Sequence, residues 1–401
     1  MNQYFADLHI HIGRTGTGRP VKITGAKSLT IENILYEASF IKGMGMIGVI
    51  DCHVPEVLRE LRTLIEEGKV VEQQGGGLRF SDVTLILGSE IEVYDEKCQG
   101  PIHVLAFFPT IEIMQSFSVW LSERMKNITL STQRIYETGR NLQEKVKQLG
   151  GLFIPAHVFT PFKSLYGVGV KSSLSEIFHP ELIDAIELGL SSNTEMADQL
   201  IELHKFTFLS NSDAHSLGKI AREYQAISME FPTFEELRMA LHHEGERKIL
   251  ANYGLDPRLG KYHRTTCAKC LTRLDNENKC CPACGHKGIT RGVYERLQEL
   301  KTEQDKLQGK SSQKKEEEKI SIRPPYVHQV PLDFIPKLGP KTLDKLRDHF
   351  GTEMNIIHHV PEKELRKIVS PAIATMILLA REGQLSVTAG GGGQYGKISK
   401  D

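Results

Sequence analysis

Histidine, aspartate and glutamate residues recur beside short apolar runs in the first half of the chain. Asp7-Leu8-His9-Ile10-His11 places two imidazoles two residues apart, and side chains at that spacing share one face of an extended strand. Ionisable residues stand in the same way beside the later runs: Asp51, His53, Glu90, Glu92, His103, His157, Glu187, Asp213 and His215. Imidazoles and carboxylates are ligands for zinc, manganese and iron, and one carboxylate can bridge two cations. The pattern predicts a polynuclear metal site.

The alternative is that each histidine is an ordinary hydrogen-bonded residue at a strand end. An isolated histidine in that position is more often structural than a metal ligand. Repetition at nearly every predicted strand favours the metal site. Two cations held close together neutralise the oxygens of a phosphoester, lower the pKa of a coordinated water and stabilise the leaving oxygen. Because the sequence offers no clear Ser/His/Asp or Cys/His arrangement, we expect metal-assisted hydrolysis rather than a covalent nucleophile.

Four cysteines form a second predicted metal site. Cys267 and Cys270 make one C-x-x-C pair, and Cys281 and Cys284 make another after ten intervening residues. Two such pairs complete a tetrahedral shell of four thiolates around one structural zinc ion, with no open position for catalysis. Residues 257–323 carry 16 Lys and Arg against 9 Asp and Glu in a chain of zero net charge. We therefore expect this segment to attract anions, although a solvated basic surface is the alternative.

Strand and helix patterns alternate around the first group of residues and must bring them together. Apolar runs with β character occur at 46–50, 83–87, 102–108, 152–155, 185–188 and 206–209. Helical patterns include 30–44, 54–67, 110–149 and 194–204. This alternation predicts an α/β domain over 1–255 with a largely parallel sheet, either open or closed into a barrel. Ligands collect at the C-terminal ends of the strands in such folds.

The remainder of the chain divides into three predicted parts. Residues 256–295 form a zinc ribbon, and 296–323 form a charged linker or solvated helix. Residues 324–401 form a helical unit in which the segment 335–346 resembles the helix-hairpin-helix of repair nucleases and ligases. Gly339 suits the turn, and Lys341 and Lys345 add charge for a DNA phosphate; simple packing is the alternative. A glycine-rich end follows, with Tyr395 as a residue that can stack on a base.

Length and composition restrict the class of protein. A chain of 401 residues exceeds one ordinary core, so two or three domains are expected. The N-terminal segment lacks a basic region followed by a long apolar run, and no stretch approaches the ~20 apolar residues of a membrane helix. Together with the clustered cysteines, these features predict a cytoplasmic, nucleoid-associated protein without membrane contact.

The motifs of the first domain resemble those of the PHP (polymerase and histidinol phosphatase) superfamily. The matching segments are 7–11, 50–52, 88–90, 102–105, 155–157 and 212–215. The resemblance implies a distorted (β/α)7 barrel that hydrolyses phosphoesters with two or three divalent ions (Zn²⁺, Mn²⁺ or Mg²⁺).

The same resemblance implies ligand sets. His9, His11, Glu90 and Asp213 would hold one ion, and Glu90 would bridge to a second ion held by His103 and His157. Asp213, Glu90 and His215 would be the catalytic residues. A third ion would use His215 with Asp51, Cys52 or His53, or would be bound weakly. The usual Asp-His pair reads Asp51-Cys52 here, His53 stands one position late, and Thr17 stands about where another family histidine falls.

Over essentially its whole length the chain resembles the endonuclease Q family, through the order of barrel, ribbon, helical unit and glycine-rich end and through segments 157–167 and 187–192. Members cut DNA on the 5′ side of deaminated bases (uracil, hypoxanthine and xanthine) and of abasic sites, leaving a 3′-hydroxyl and a 5′-phosphate. The resemblance therefore implies a repair endonuclease that binds damaged DNA. A damaged nucleotide is easier to unstack, and the residues expected to line the pocket that receives it are Tyr166, Phe162, Ser191, Ser192 and Asn193, with simple loop packing as the alternative.

Two other functions remain open at this stage. A small-molecule phosphatase would use the same barrel but would leave the ribbon and the hairpin without a role. A non-catalytic DNA-binding scaffold would not need so complete a set of metal ligands.

Overall fold

The computed structural model of this protein describes residues 1–260, 262–274, 280–308 and 323–385, together with the backbone of two short strands at 387–388 and 397–398. The predicted contact through Tyr395 and the charge run at 310–319 lie outside the described residues. Among the residues that the structure does describe, no helix is long and apolar enough to cross a membrane.

Seven strands form the wall of a distorted barrel. The strands of the first domain are β1 (Asn2–Ile10), β2 (Met46–Val49), β3 (Val71–Glu72), β4 (Leu78–Phe80), β5 (Val83–Val93), β6 (Ile102–Phe108), β7 (Arg134–Ile135), β8 (Leu152–Pro155), β9 (Ile186–Glu187), β10 (Phe208–Leu209), β11 (Tyr224–Met229) and β12 (Lys248–Gly254). Around the wall, β1, β2, β5, β6 and β8 are hydrogen-bonded neighbours, and β9 pairs with β10. The ring closes where Asp184 N donates to Phe153 O and where Ile10 forms a bridge with Ala214.

The sheet is mixed, so the prediction of a largely parallel sheet is wrong. β1, β2 and β5 are parallel neighbours, but β5 with β6 and β6 with β8 are antiparallel. The connection from β5 to β6 contains no helix, and a chain that turns back directly produces an antiparallel pair. The predicted helix at 110–149 is two helices with β7 between them.

The barrel helices pack their apolar sides on the outside of this wall. They are α1 (Ile31–Tyr36, continued by a π-helical turn to Lys42), α2 (Pro55–Glu66), α3 (Ile111–Ser122), α4 (Gly139–Gln148), α5 (Thr194–Ala197) and α6 (Phe234–Leu241). Four of them begin at a threonine whose side chain accepts a backbone N–H of the first turn: Thr30, Thr110, Thr138 and Thr233. These N-caps explain why the helices start where they do.

The ribbon and the helix after it attach to the barrel. Two short antiparallel strands, β13 (Thr266–Cys267) and β14 (Ile289–Thr290), precede α7 (Val293–Gln308). Leu297 and Leu300 of α7 are buried against the barrel core, and Arg296 donates to Tyr166 O and Val170 O at 2.8 Å each. Residues 296–308 therefore form a helix, which is one of the two predicted forms, and this helix packs on the barrel through a few buried apolar side chains.

The C-terminal unit is helical and packs beside the barrel. It comprises β15 (Tyr326–His328), α8 (Pro340–Phe350), α9 (Glu353–His358), α10 (Glu362–Ile368), α11 (Pro371–Arg381) and a pair of short strands, β16 (Val387–Thr388) and β17 (Lys397–Ile398). β15 extends the barrel sheet as a parallel neighbour of β12. The buried Lys42 ammonium lies 2.8 Å from the Glu353 carboxylate, and the His358 ring stacks on Phe5 at 4.4 Å. These contacts join the unit to the barrel wall.

Candidate metal centre

The predicted barrel ligands converge at one rim. His9 and His11 stand at the end of β1, Glu90 stands near the end of β5, and Asp213 follows β10. Because β6 runs antiparallel to both β5 and β8, the start of β6 with His103 reaches the same rim as the end of β8 that precedes His157. The strand directions explain how residues two hundred positions apart meet.

The first cluster is formed by His9, His11, Glu90 and Asp213. Asp213 Oδ1 lies 3.4 Å from Nε2 of His9 and 3.4 Å from Nε2 of His11. The two carboxylate oxygens of Glu90 divide between the imidazoles, at 3.5 Å from Nε2 of His9 and 3.5 Å from Nε2 of His11. Potential ligand atoms of these four residues thus lie close to one another.

The second cluster shares Glu90. Its Oε1 lies 2.9 Å from His103 Nδ1 and 3.3 Å from His157 Nε2. These three residues hold their ligand atoms close enough for a single ion. Glu90 belongs to both clusters, so its carboxylate would be shared between them if each held a cation.

Buried carboxylates outside these clusters orient the two imidazoles of β1. His9 Nδ1 donates to Glu187 at 2.9 Å, and His11 Nδ1 donates to Asp51 at 3.1 Å. The N–H must lie on Nδ1, so each neutral ring turns the lone pair of Nε2 into the centre. Both Nε2 atoms are buried and, within the described residues, have no hydrogen-bond partner. Buried acceptors of this kind fit a metal cation, because an unpaired polar atom is otherwise costly.

The electrostatics of the centre also favour a cation. Burial alone would raise the pKa of the Glu90 carboxyl, but the facing His103 imidazole and Lys22 ammonium hold it well below its usual value. Burial alone would also raise the pKa of the Asp213 carboxyl, but His9 and His11 hold it well below its usual value. Burial disfavours a charged His9, yet Glu187 and Asp213 raise the pKa of this imidazole well above 6.5. A negative field that favours a proton on His9 favours a metal cation in its place.

Two ligands occupy left-handed backbone conformations. φ is 30° at His157 and 46° at Asp213. A side chain at positive φ costs energy that the surrounding structure must supply, and such residues are concentrated at functional sites. Gly189, at φ 79°, passes so close to His157 that an added Cβ would lie 2.7 Å from its Cβ.

A third group comprises His11, Asp213 and His215, but His11 and Asp213 already belong to the first cluster. His215 Nδ1 lies 3.5 Å from Asp213 Oδ1. Among the described residues, neither Asp51 nor Cys52 belongs to a group of potential ligands. Asp51 instead accepts from His11 and from Ile12 N, and the buried Cys52 thiol donates to Val49 O at 3.1 Å. The structure does not bring the predicted third-site ligands together.

Two residues at the centre, Lys22 and Thr132, carry no clear signal in the sequence. Lys22 Nζ lies 3.4 Å from Glu90 Oε2 and donates to Thr132 Oγ1 at 2.7 Å. Thr132 Oγ1 donates to the same Glu90 oxygen at 2.5 Å. Glu187 was part of the predicted pattern of ionisable residues, and in the structure it fixes His9 and accepts from His157 N at 2.8 Å.

A cavity of about 250 Å³ opens beside the two clusters. The residues that line it are His157, Thr160, Glu187, Gly189, Leu190, Ser191, Asn211, Asp213, Arg222, Leu255, Gly260 and Tyr262. Barrel loops form most of the wall, and the segment that leads to the ribbon supplies Gly260 and Tyr262. The ring of Phe162, which is 54% exposed, lies edge-on to Tyr262 at 5.5 Å.

The residues predicted to line a base pocket separate in the structure. Ser191 lines the cavity. The buried Tyr166 donates to Glu202 at 3.0 Å, and Ser192 donates to Leu188 O at 2.7 Å. Asn193 caps α5 by accepting from Met196 N at 2.9 Å and contacts His328. These three side chains have structural partners.

The four predicted ribbon cysteines come together. Sγ of Cys267 lies 3.6 Å from Sγ of Cys284, and Sγ of Cys270 lies 3.4 Å from Sγ of Cys281. All four sulfur atoms are close enough to share one ion. Cys280 is not part of this group. Four thiolates leave no open coordination position, so this site is structural in character.

The predicted hairpin turn lies at the N-terminus of α8. Gly339 is the N-cap residue and Pro340 the first helical residue, and both are exposed, as are Lys341 and Lys345. Lys337, which replaces the usual first glycine, adopts φ 70°, the conformation that glycine would favour. Lys219, in the loop after His215, lies over the Phe334 ring at 4.8 Å. The start of the hairpin is therefore close to the loop that follows the metal ligands.

Comparisons with known proteins give a consistent picture. No protein-family model matches the chain. An uncharacterized protein of Bacillus subtilis (strain 168), YqxK, is 55% identical over 398 residues, which is 99% of this chain and 100% of that protein. The crystal structure of PfuEndoQ from Pyrococcus furiosus, a lesion-specific endonuclease, superposes with a TM-score of 0.82 at 31% identity over 99% of this chain and 95% of that one. A structure of endonuclease Q with a 27-mer duplex that carries an abasic lesion at the active site gives a TM-score of 0.80 at 30% identity, over 99% and 96% of the two chains.

Proposed function

The chain belongs to the endonuclease Q family, and on that premise we propose that it is a metal-dependent endonuclease that cuts DNA at damaged nucleotides. The observation that carries this proposal is the convergence of four imidazoles and two carboxylates on one rim, where the buried Nε2 atoms of His9 and His11 have no hydrogen-bond partner among the described residues. The divalent ions that these residues would hold supply positive charge to the phosphodiester and activate water.

The residues of the chain itself position the reactants. Glu90 and Asp213 keep the ligand atoms within reach of one another, while Asp51 and Glu187 prevent the imidazoles from rotating. The scissile phosphate would lie at this rim, and the damaged nucleotide would enter the adjacent cavity beside His157 and Asp213. A damaged or missing base costs less to unstack, which favours lesions before any base contact is made.

We extend the proposal to the lesion class implied by the family: uracil, hypoxanthine, xanthine and abasic sites, with incision on the 5′ side. The cavity has polar groups from Ser191, Asn211 and Arg222 among its lining residues, and hydrogen bonds from such groups can distinguish the edge of a deaminated base. The exposed turn at Gly339, with Lys341 and Lys345, would bind the DNA backbone without reading its sequence.

The experiment compares the parent protein with Asp213→Ala on labelled duplexes that contain deoxyuridine, deoxyinosine, an abasic site or no lesion, with Mg²⁺, Mn²⁺ or Zn²⁺ added. We expect metal-dependent incision at lesions by the parent and loss of incision in Asp213→Ala. Asp82→Ala is the matched control, because the Asp82 side chain is 93% exposed and lies outside the centre. Turnover of phosphomonoesters with intact DNA would instead identify a small-molecule phosphatase, and binding without turnover would identify a scaffold.

A further inference from the structure

The group formed by His11, Asp213 and His215 shares two of its three residues with the first cluster. His11 has one nitrogen available, because Nδ1 donates to Asp51, and Nε2 already faces the first cluster. Only Asp213 and His215 then remain, and Asp213 Oδ1 is shared with His9.

The neighbouring segments do not complete this group. Asp51 is engaged by His11 and by Ile12 N, Cys52 by Val49 O, and His53 Nδ1 by the Ser89 hydroxyl at 2.8 Å. The Thr17 hydroxyl donates to Glu56. Residues that would serve a third ion are therefore committed to other partners.

The Lys22 ammonium lies on the side of the centre that faces His11. Lys22 Nζ approaches Glu90 Oε2, the oxygen that faces His11, whereas Glu90 Oε1 faces His103 and His157. The Lys22 side chain is only 16% exposed. Its backbone is fixed as well, since Lys22 N donates to Ile12 O at 2.9 Å and Thr132 accepts from Nζ. The charge is held in place by several contacts.

We propose that the barrel centre binds two divalent ions and that the Lys22 ammonium takes the place of a third cation, binding a non-bridging oxygen of the scissile phosphate. This inference rests on the proposed function. The Glu90 carboxylate offsets only part of the charge of two divalent cations and one ammonium, so the arrangement favours a further anion such as a phosphate group. Lys22 would then be a catalytic residue in direct contact with the substrate.

A purely structural role for Lys22 makes different predictions. If the lysine only neutralised Glu90, its removal would disturb the bridging carboxylate and release ions. In our proposal Thr132, His103 and His157 keep Glu90 in position, and removal of Lys22 affects the bound phosphate.

The test uses Lys22→Met and Lys22→Arg in the full-length protein, with Lys27→Met as a control for an exposed lysine on the same loop. Metal content after loading with Mn²⁺ or Zn²⁺ is measured by mass spectrometry. Binding of inorganic phosphate to the loaded protein is measured by calorimetry, and single-turnover incision of an abasic duplex is measured at saturating enzyme.

We expect two barrel ions, besides the ribbon ion, in the parent and in Lys22→Met. Phosphate affinity should fall about 10-fold and the incision rate about 100-fold in Lys22→Met, since loss of one charge-stabilising donor typically costs that much or more. Lys22→Arg should recover part of both, and Lys27→Met should match the parent.

Three barrel ions in the parent, loss of an ion from Lys22→Met, or unchanged phosphate binding in that variant would each overturn the proposal. The metal count and the phosphate affinity do not depend on DNA cleavage. If the parent failed to cut lesion DNA, the proposed function would be wrong, and these two measurements would still decide the role of Lys22.

Discussion

The imidazoles of His9 and His11 are each oriented by a carboxylate that lies outside the two ligand clusters. Asp51 and Glu187 are both buried, and each accepts the Nδ1–H of one histidine. A carboxylate in this position fixes the tautomer and raises the basicity of the ligand. Asp51 is thus placed as a partner of a ligand, whereas the sequence had offered it as a ligand.

This difference can be tested with Asp51→Asn and Cys52→Ala. Asp51→Asn should weaken metal binding by about 10- to 100-fold, the usual effect of losing such a partner. Cys52→Ala should leave metal binding unchanged, because burial raises the pKa of the Cys52 thiol to about 12 and its hydrogen bond goes to Val49 O. Competition with a chromogenic chelator measures both. The reverse ranking of the two variants would restore Cys52 as a third-site ligand.

Glu223 is a buried carboxyl group that the proposed chemistry does not use. Its Oε1 accepts from Leu255 N at 2.9 Å, and Oε2 has no hydrogen-bond partner among the described residues. Burial raises the pKa of Glu223 from 4.5 to about 8. The folded protein therefore keeps this proton up to about pH 8, while the unfolded chain releases it near pH 4.5. Stability falls as pH rises through that window.

Glu223→Gln should remove this pH-dependent loss of folding stability, so the variant should be more stable than the parent at pH 8.5. The gain is at most about 1.4 kcal/mol for each pH unit within the window. Denaturant unfolding at pH 5, 6.5 and 8.5 measures it. Glu230→Gln is the control, because the Glu230 side chain is 57% exposed. If the free energy of unfolding changed with pH in the same way for the parent and for Glu223→Gln, the raised pKa of Glu223 would be contradicted.

Among the elements, the ribbon has very little core of its own. Within the described residues, its buried apolar cluster consists of Cys267, Leu274 and Cys281, and the two cysteines belong to the candidate zinc site. A unit of this size depends on its ion for folding. The ribbon leads directly into α7, whose Arg296 holds the barrel segment at Tyr166 and Val170.

Cys267→Ser should therefore lose about one zinc ion per chain and weaken retention on DNA while the barrel remains folded. Zinc content, a binding assay with an abasic duplex and circular dichroism measure the three properties. Cys280→Ser should behave like the parent, because Cys280 lies outside the cysteine group. An unchanged zinc content in Cys267→Ser would contradict the inference that Cys267 binds zinc.

In the whole molecule, the C-terminal unit is held against the barrel by buried polar contacts as well as by packing. Lys42 and Glu353 are each only 7% exposed. Across the same interface, Tyr224 and His358 lie 2.7 Å apart and burial lowers the pKa of His358 to about 3. This attachment fixes the predicted hairpin turn at Gly339 relative to the metal centre.

Lys42→Met should loosen this attachment, because among the described residues it leaves the buried Glu353 with only Arg347 opposite at 3.3 Å. The cost of an uncompensated buried charge is about 3–5 kcal/mol, lower here because Arg347 remains. We expect faster proteolysis of the C-terminal unit and weaker DNA binding with unchanged metal content. Lys42→Met combined with Glu353→Leu should recover part of the loss. Lys69→Met, at an exposed ion pair, is the control. Equal proteolysis rates would show that this pair does not fix the unit.

The ligand types and their order along the chain were determined by the sequence. His9, Glu90, His157 and Asp213 could be identified because each stands beside an apolar run, and local patterns of this kind survive folding. The ribbon was equally clear, since its two cysteine pairs are each three residues apart and need no distant partner to be recognised.

The directions of the strands and the partners of each ligand were decided only by the tertiary structure. The antiparallel turn from β5 to β6 brings His103 beside Glu90, and nothing local to either residue specifies that pairing. Likewise Lys22, Thr132 and Glu223 have no motif, because their roles arise from charges and burial contributed by distant segments of the chain. Local patterns encode what a residue can bind, whereas long-range packing decides what it faces.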